Sequence, residues 1–192
     1  MNFRKDIILL LLYVPGVSGT IGEPIKGRTR LMKGIFLFNQ ELAKRFRRGL
    51  VPAEGEVYEF FPWSFGPFSR DVYSDLDFLI GMAYVQAEMV ESQGASEETV
   101  SELEEWEQQT AIELQPDSPG ITEYSEEQFS LKELGKRFVE DVLLREVTAA
   151  QLSLLSEFKR RLCGTPLRAI IKYVYQSYPD YARKSEIARS VR

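Results

Sequence analysis

The stretch Tyr58-Glu59-Phe60-Phe61-Pro62-Trp63-Ser64-Phe65-Gly66-Pro67-Phe68-Ser69 places six aromatics and two prolines within twelve residues. Two prolines and a glycine forbid a continuous helix, and this aromatic density is too apolar for a surface loop. The stretch therefore reads as a short strand or extended arm, then a tight turn through Phe65, Gly66 and Pro67. It delivers the chain to Ser69, a residue with the chemistry of a helix N-cap. Phe60, Trp63, Phe65, Gly66, Pro67 and Phe68 are expected to form a hydrophobic hub for the flanking helices. Turned outward, the same rings would make a docking patch of the residue types favoured at binding hot spots.

Helices are expected on both sides of this corner. The first runs from about Phe3 to Tyr13, apolar on almost every side, and Pro15-Gly16 ends it. Its apolar run of about eight residues is far below the roughly 18–20 that a membrane span requires. Asp6 interrupts what would be the positive start of a signal peptide, so a core helix in a cytoplasmic protein is the expectation. The second helix is capped at Thr29 and carries Leu31, Ile35, Phe38 and Leu42 on its core stripe. Its opposite flank gathers Arg30, Lys33, Leu37, Glu41, Lys44 and Arg48, with Arg28 close by. This basic face reads first as a solvated face, and second as a surface for an acidic partner. The third helix is expected from Ser69 to about Val85, with Val72, Leu76, Leu79 and Ala83 inside and Arg70, Ser74, Asp77 and Gly81 outside.

Beyond it, strands near 88–91 and 128–131 bracket an acidic insertion at about 92–127 with a Pro116-to-Gly120 breaker. A helix through Leu134, Phe138 and Val142 follows. Another, from Thr148 to Cys163, places Leu152, Leu155 and Leu162 on one face. Thr165-Pro166 then opens a helix that buries Leu167, Ile170, Ile171 and Val174. The fold class is mainly α with a small β hairpin (α+β). A winged-helix-like domain over residues 1–147 is followed by a helical extension over 148–192.

The chain lacks histidine and has a single cysteine, Cys163. A histidine-centred triad, a histidine-ligated metal and an intrachain disulfide are therefore unavailable, and no metal or cofactor is expected. Gly19-Thr20-Ile21-Gly22 and Gly164-Thr165-Pro166 lack the spacing and lysine of a phosphate loop. Asp71, Asp75 and Asp77 offer no pair in visibly opposed environments, so no catalytic residue is assigned.

Charge is arranged in blocks. Residues 1–50 hold ten Lys/Arg and three Asp/Glu, residues 51–131 one and nineteen, and residues 132–192 thirteen and seven. The simplest reading is self-complementarity within the molecule or across a homodimer. The sharper one is a basic surface for an acidic partner, formed by Arg28, Arg30, Lys33, Lys44 and Arg48. Nucleic acid is the default partner of a winged helix. Here, however, the third helix has one arginine against three aspartates and the wing is acidic, while phosphate neutralisation dominates such affinity. A non-enzymatic regulatory or adaptor protein with a protein partner is the preferred expectation, a DNA-binding transcriptional regulator the alternative, and an unrecognised enzyme the third reading.

Three segments together carry a family resemblance. They are Gly27-Arg28-Thr29-Arg30-Leu31-Met32-Lys33, Phe65-Gly66-Pro67-Phe68-Ser69, and Phe129-Ser130-Leu131-Lys132-Glu133-Leu134-Gly135. In this order and spacing, the chain resembles the YwgA-like prokaryotic proteins and, more distantly, the SocA-like (Panacea) antitoxin domain. The resemblance implies a cytoplasmic, non-catalytic, mostly helical regulatory protein. Antitoxin-type members act by holding a partner protein, and no catalytic residue is inherited.

Overall fold

From Ile7 to Val14 the chain offers water no polar face, and every one of these side chains is buried. Helix α1 (Phe3–Tyr13) is therefore a central rod. Burying each such side chain contributes roughly 1.5–3 kcal/mol. The computed structural model describes residues 3–46, 57–63, 66–91 and 125–183. After α1 come a two-residue strand β1 (Ile25–Lys26) and helix α2 (Arg28–Leu37). α2 passes through a π turn (Phe38–Leu42) into α3 (Ala43–Phe46).

The aromatic corner forms β2 (Phe61–Trp63) and β3 (Gly66–Phe68), paired antiparallel from Phe61↔Phe68 to Trp63↔Gly66. Helix α4 (Arg70–Gly81) follows, and then β4 (Val85–Glu91) and β5 (Ser125–Leu131). These two strands pair antiparallel from Val85↔Leu131 to Glu91↔Ser125. β1 joins the free edge of β5 through Ile25↔Phe129, giving the order β1-β5-β4. The C-terminal part is α5 (Glu133–Asp141), a 3-10 turn (Leu143–Arg145), α6 (Ala149–Gly164), α7 (Leu167–Ser177) and α8 (Pro179–Ala182). The architecture is mainly helical with two small antiparallel sheets, an α+β arrangement. Among the described residues no helix is long and apolar enough to cross a membrane.

Several boundaries differ from the sequence expectation. Gly27, not Thr29, is the N-cap of α2; its φ of 83° lies in the left-handed region that favours glycine. α4 ends at Gly81, and Ala83, expected in its core stripe, is exposed with φ 58°. That residue turns the chain directly into β4, so Val85 starts a strand and is fully buried. Ser69 does occupy the N-cap position of α4, yet its buried hydroxyl makes no capping bond. The insertion expected at 92–127 falls outside the described residues up to 124; from Ser125 the chain already belongs to β5. Thr148 caps α6 in a reciprocal box with Gln151, and Pro166 rather than Thr165 is the N-cap of α7.

Tight approaches lock the elements together. A Cβ on Gly135 would lie 2.2 Å from the Tyr84 carbonyl oxygen, so only glycine lets α5 sit on the start of the hairpin. A Cβ on Gly66 would lie 2.7 Å from the Tyr175 ring, which brings α7 against the aromatic corner.

Candidate functional site

The basic side of α2 begins with Arg28. Its guanidinium bonds both Glu127 carboxylate oxygens, at 2.5 and 3.1 Å, and Asp77 at 3.1 Å. It also lies over the Tyr73 and Phe129 rings. Desolvation alone would lower its pKa, but the Glu127 and Asp77 carboxylates outweigh that and raise it. Two residues on, Arg30 donates to the carbonyls of Leu162 and Thr165, both at 2.6 Å. Those oxygens lie at the C-terminal end of α6, where a helix leaves carbonyls unsatisfied and favours positive charge.

Lys33 is 3% exposed and donates to the Pro67 carbonyl at 3.0 Å. Burial pushes its ammonium down from the usual lysine range to about 7. The flank expected to face solvent is thus covered, because α2 is buried from Leu31 through Leu37. The aromatic corner covers one side and α6 and α7 another; a Cβ on Gly34 would lie 2.5 Å from Leu162. Only Lys44 keeps the expected exposure, together with its neighbour Arg45. Arg48 lies outside the described residues. The structure therefore does not gather Arg28, Arg30, Lys33 and Lys44 on one outward surface.

The charge blocks are matched inside the fold. From α1, Arg4 reaches Asp75 at 2.8 Å and Asp71 at 2.9 Å, and Lys5 reaches Asp75 at 3.2 Å. Asp75 is buried and also accepts from the Tyr58 hydroxyl at 3.1 Å. With Arg28 on Asp77, all three aspartates of α4 are engaged by cations of the N-terminal block.

The aromatic corner is packed. Phe68 is buried, while Phe60, Phe61 and Trp63 are half-buried. Phe60 meets Phe36 edge-on at 5.1 Å, and Phe36 in turn meets Tyr178 at 5.1 Å and Tyr181 at 4.9 Å. Trp63 sits 5.8 Å from Phe61 and 6.1 Å from Phe68. Gly66 and Pro67 pair with Trp63 and Pro62, and Phe65 lies outside the described residues.

Two features escaped the sequence reading. Lys159 on α6 is fully buried, and its ammonium donates to the carbonyls of Leu12 at 3.0 Å, Val14 at 2.8 Å and Glu23 at 2.5 Å. It closes the C-terminal end of α1 from another helix, and burial lowers its pKa to about 8. The signal was its place between Leu155 and Leu162 on the apolar face of α6, four and three residues away.

The second feature is the outward side of α4. It carries Arg70, Ser74, Phe78 and, just past the helix, Met82, each one turn from the last. Phe78 is 51% exposed and Met82 49%, and Met89 on β4 is 52% exposed. The β4 and β5 sequences hold Glu88, Glu91, Glu126 and Glu127 and no Lys or Arg. Spacing placed Asp77 outside; in fact Asp77 turns toward Arg28 and Phe78 takes the exposed position.

Among the described residues no group of carboxylates and thiols is placed to hold a metal ion. Cys163 is half-buried with its thiol pushed up, first by burial. Comparison of the chain with protein-family models, with curated proteins and with solved structures finds no match.

Proposed function

We propose that this protein is a non-enzymatic regulatory or adaptor protein, antitoxin-like in mode, that acts by holding a protein partner. The observation that carries the reading is the inversion of charge and apolarity on the surface. Arg28, Arg30 and Lys33 are engaged within the fold, while α4 turns Phe78 and Met82 outward. A helix entering a nucleic-acid groove presents Arg, Lys, Asn or Gln to bases and phosphates; this one presents a single arginine, Arg70, and then a serine, a phenylalanine and a methionine. The neighbouring β4 adds an exposed Met89 and an exposed Glu88, so the fitting partner has apolar anchors and a basic group beside them.

The finer fold we favour is a winged-helix-like core built on α1, α2 and α4. It is supported by β1 lying between the first two helices and joining the β4–β5 hairpin through β5. A second reading, a DNA-binding regulator, draws on the exposure of Lys44 and Arg45 and on the neutralised aspartates of α4.

The test is to isolate the tagged protein with its stoichiometric protein partner and titrate the two purified components against each other. Phe78→Glu and Met82→Glu should each abolish the complex and leave the unfolding midpoint unchanged, because both side chains are exposed. A complex indifferent to both substitutions would remove α4 as the docking face. Duplex DNA binding that Lys44→Glu eliminates would favour the second reading.

A further inference from the structure

Beyond the partner face, a separate concavity lies on the other side of α2. It has a volume of about 590 Å³ and is bounded by the π turn, α3, α6 and α7. The size falls in the range of small-molecule sites, roughly 300–1,000 Å³. Its lining is predominantly apolar, from Leu37, Leu42, Leu154, Phe158 and Ile170. The π turn inserts one extra residue into the helix, a departure from regular geometry that is frequent at functional sites. Here Glu41 and Leu42 of that turn, and Arg45 just beyond it, all line the cleft.

The charged groups of the rim differ in whether they are already engaged. Glu41 accepts from the Tyr173 hydroxyl at 2.9 Å and the Tyr178 hydroxyl at 3.2 Å. Glu157 accepts from Arg160 and from Arg161, the latter at 2.8 Å. Arg45 has no carboxylate partner among the described residues, although its main chain is fixed: Gln151 on α6 donates to its carbonyl at 2.8 Å. The cleft thus combines an apolar floor with one uncommitted guanidinium at its mouth. A guanidinium is weakly hydrated and forked, and its natural counterpart is a planar or tetrahedral oxyanion.

We propose that this cleft binds a single-chain amphiphile with an oxyanion head, its tail on the Leu37–Phe158–Ile170 floor and its head on Arg45. Carboxylate and phosphate heads share that chemistry, and the test separates them. The full-length protein is titrated by calorimetry with laurate, lauryl phosphate, lauryl alcohol and dodecyltrimethylammonium, each below its micelle threshold. Laurate or lauryl phosphate should bind at one site per chain, at least about tenfold tighter than the alcohol, with the ammonium amphiphile weakest. The tighter of the two anions names the head group.

Two variants fix the place. Ala169 is an exposed cleft residue of α7, so Ala169→Trp fills the space without disturbing the core and should abolish binding. Arg45→Gln should bring the anions down to the affinity of the alcohol while leaving the alcohol unchanged. Absence of binding, equal affinity for all four amphiphiles, or anion binding that survives Ala169→Trp would overturn the proposal.

Discussion

Two halves of one basic run in this chain meet opposite fates. Arg28, Arg30 and Lys33 are all taken into the structure, each on a carboxylate or a main-chain carbonyl. Lys44 and Arg45, little more than a dozen residues later, stand exposed. The residue types are alike in both halves; what differs is what packs around the helix. α2 is covered on both flanks, whereas after the π turn the chain runs toward the surface and only Leu42, Ala43 and Phe46 stay buried. Spacing tells which residues share a face, and only the tertiary neighbours decide whether that face is wet. In a covered helix a cation is useful because it can close a carbonyl terminus that no local residue reaches. Arg30 does so for α6, and Lys159, on α6, does so for α1.

Substitutions can break this contrast, and the largest effect should come at Lys159. Lys159→Ala leaves three carbonyls without their donor inside the core and opens a void, so denaturant unfolding should show a loss of about 3–5 kcal/mol. Arg28→Ala strands Glu127 and Asp77 in a partly solvated place and should cost about 2 kcal/mol, less than a fully buried pair would.

Lys33 sharpens the contrast through its pH dependence. Its folded-state pKa, about 7, lies below the ordinary 10.5. Between those values the unfolded chain binds the proton more strongly, so this group makes stability rise with pH from about 7 to 10.5; the penalty is complete below 7. Lys33→Met removes the penalty and leaves the Pro67 carbonyl without a donor. The variant should therefore be favoured over the parent most strongly at pH 6, by about 1–2 kcal/mol, and the difference should shrink toward pH 10. A difference independent of pH would mean Lys33 is not held in a dry site. At the small end, Lys44→Ala and Arg45→Ala should each change stability by less than about 0.5 kcal/mol.

What could be read from the sequence follows the same division. α1 matched its expected span because a helix apolar on every side from Ile7 onward has only one place to go. The Thr148 start of α6 was legible because capping chemistry is local. Arg70, Ser74 and Gly81 are exposed on α4 as expected, but Asp77 is half-buried and its neighbour Phe78 exposed, a choice that the distant Arg28 decides. Asp75 reads as a flank residue until Arg4, Lys5 and Tyr58, all remote in sequence, are brought to it. The uncommitted Arg45 and the cleft beside it depend on a π turn and on three helices meeting, neither of which leaves a periodic trace.

The central physical claim is that Arg28, Arg30 and Lys33 are engaged inside the molecule and are not offered to a polyanion. The most direct measurement is a titration of the full-length protein with nonspecific duplex DNA from low to physiological salt. Because Arg30 is spent on the Leu162 and Thr165 carbonyls, whatever salt-dependent affinity the exposed Lys44 and Arg45 confer should be closely similar in the parent and in a folded Arg30→Glu variant. Affinity that falls steeply with salt, and that vanishes in a folded Arg30→Glu variant, would contradict it.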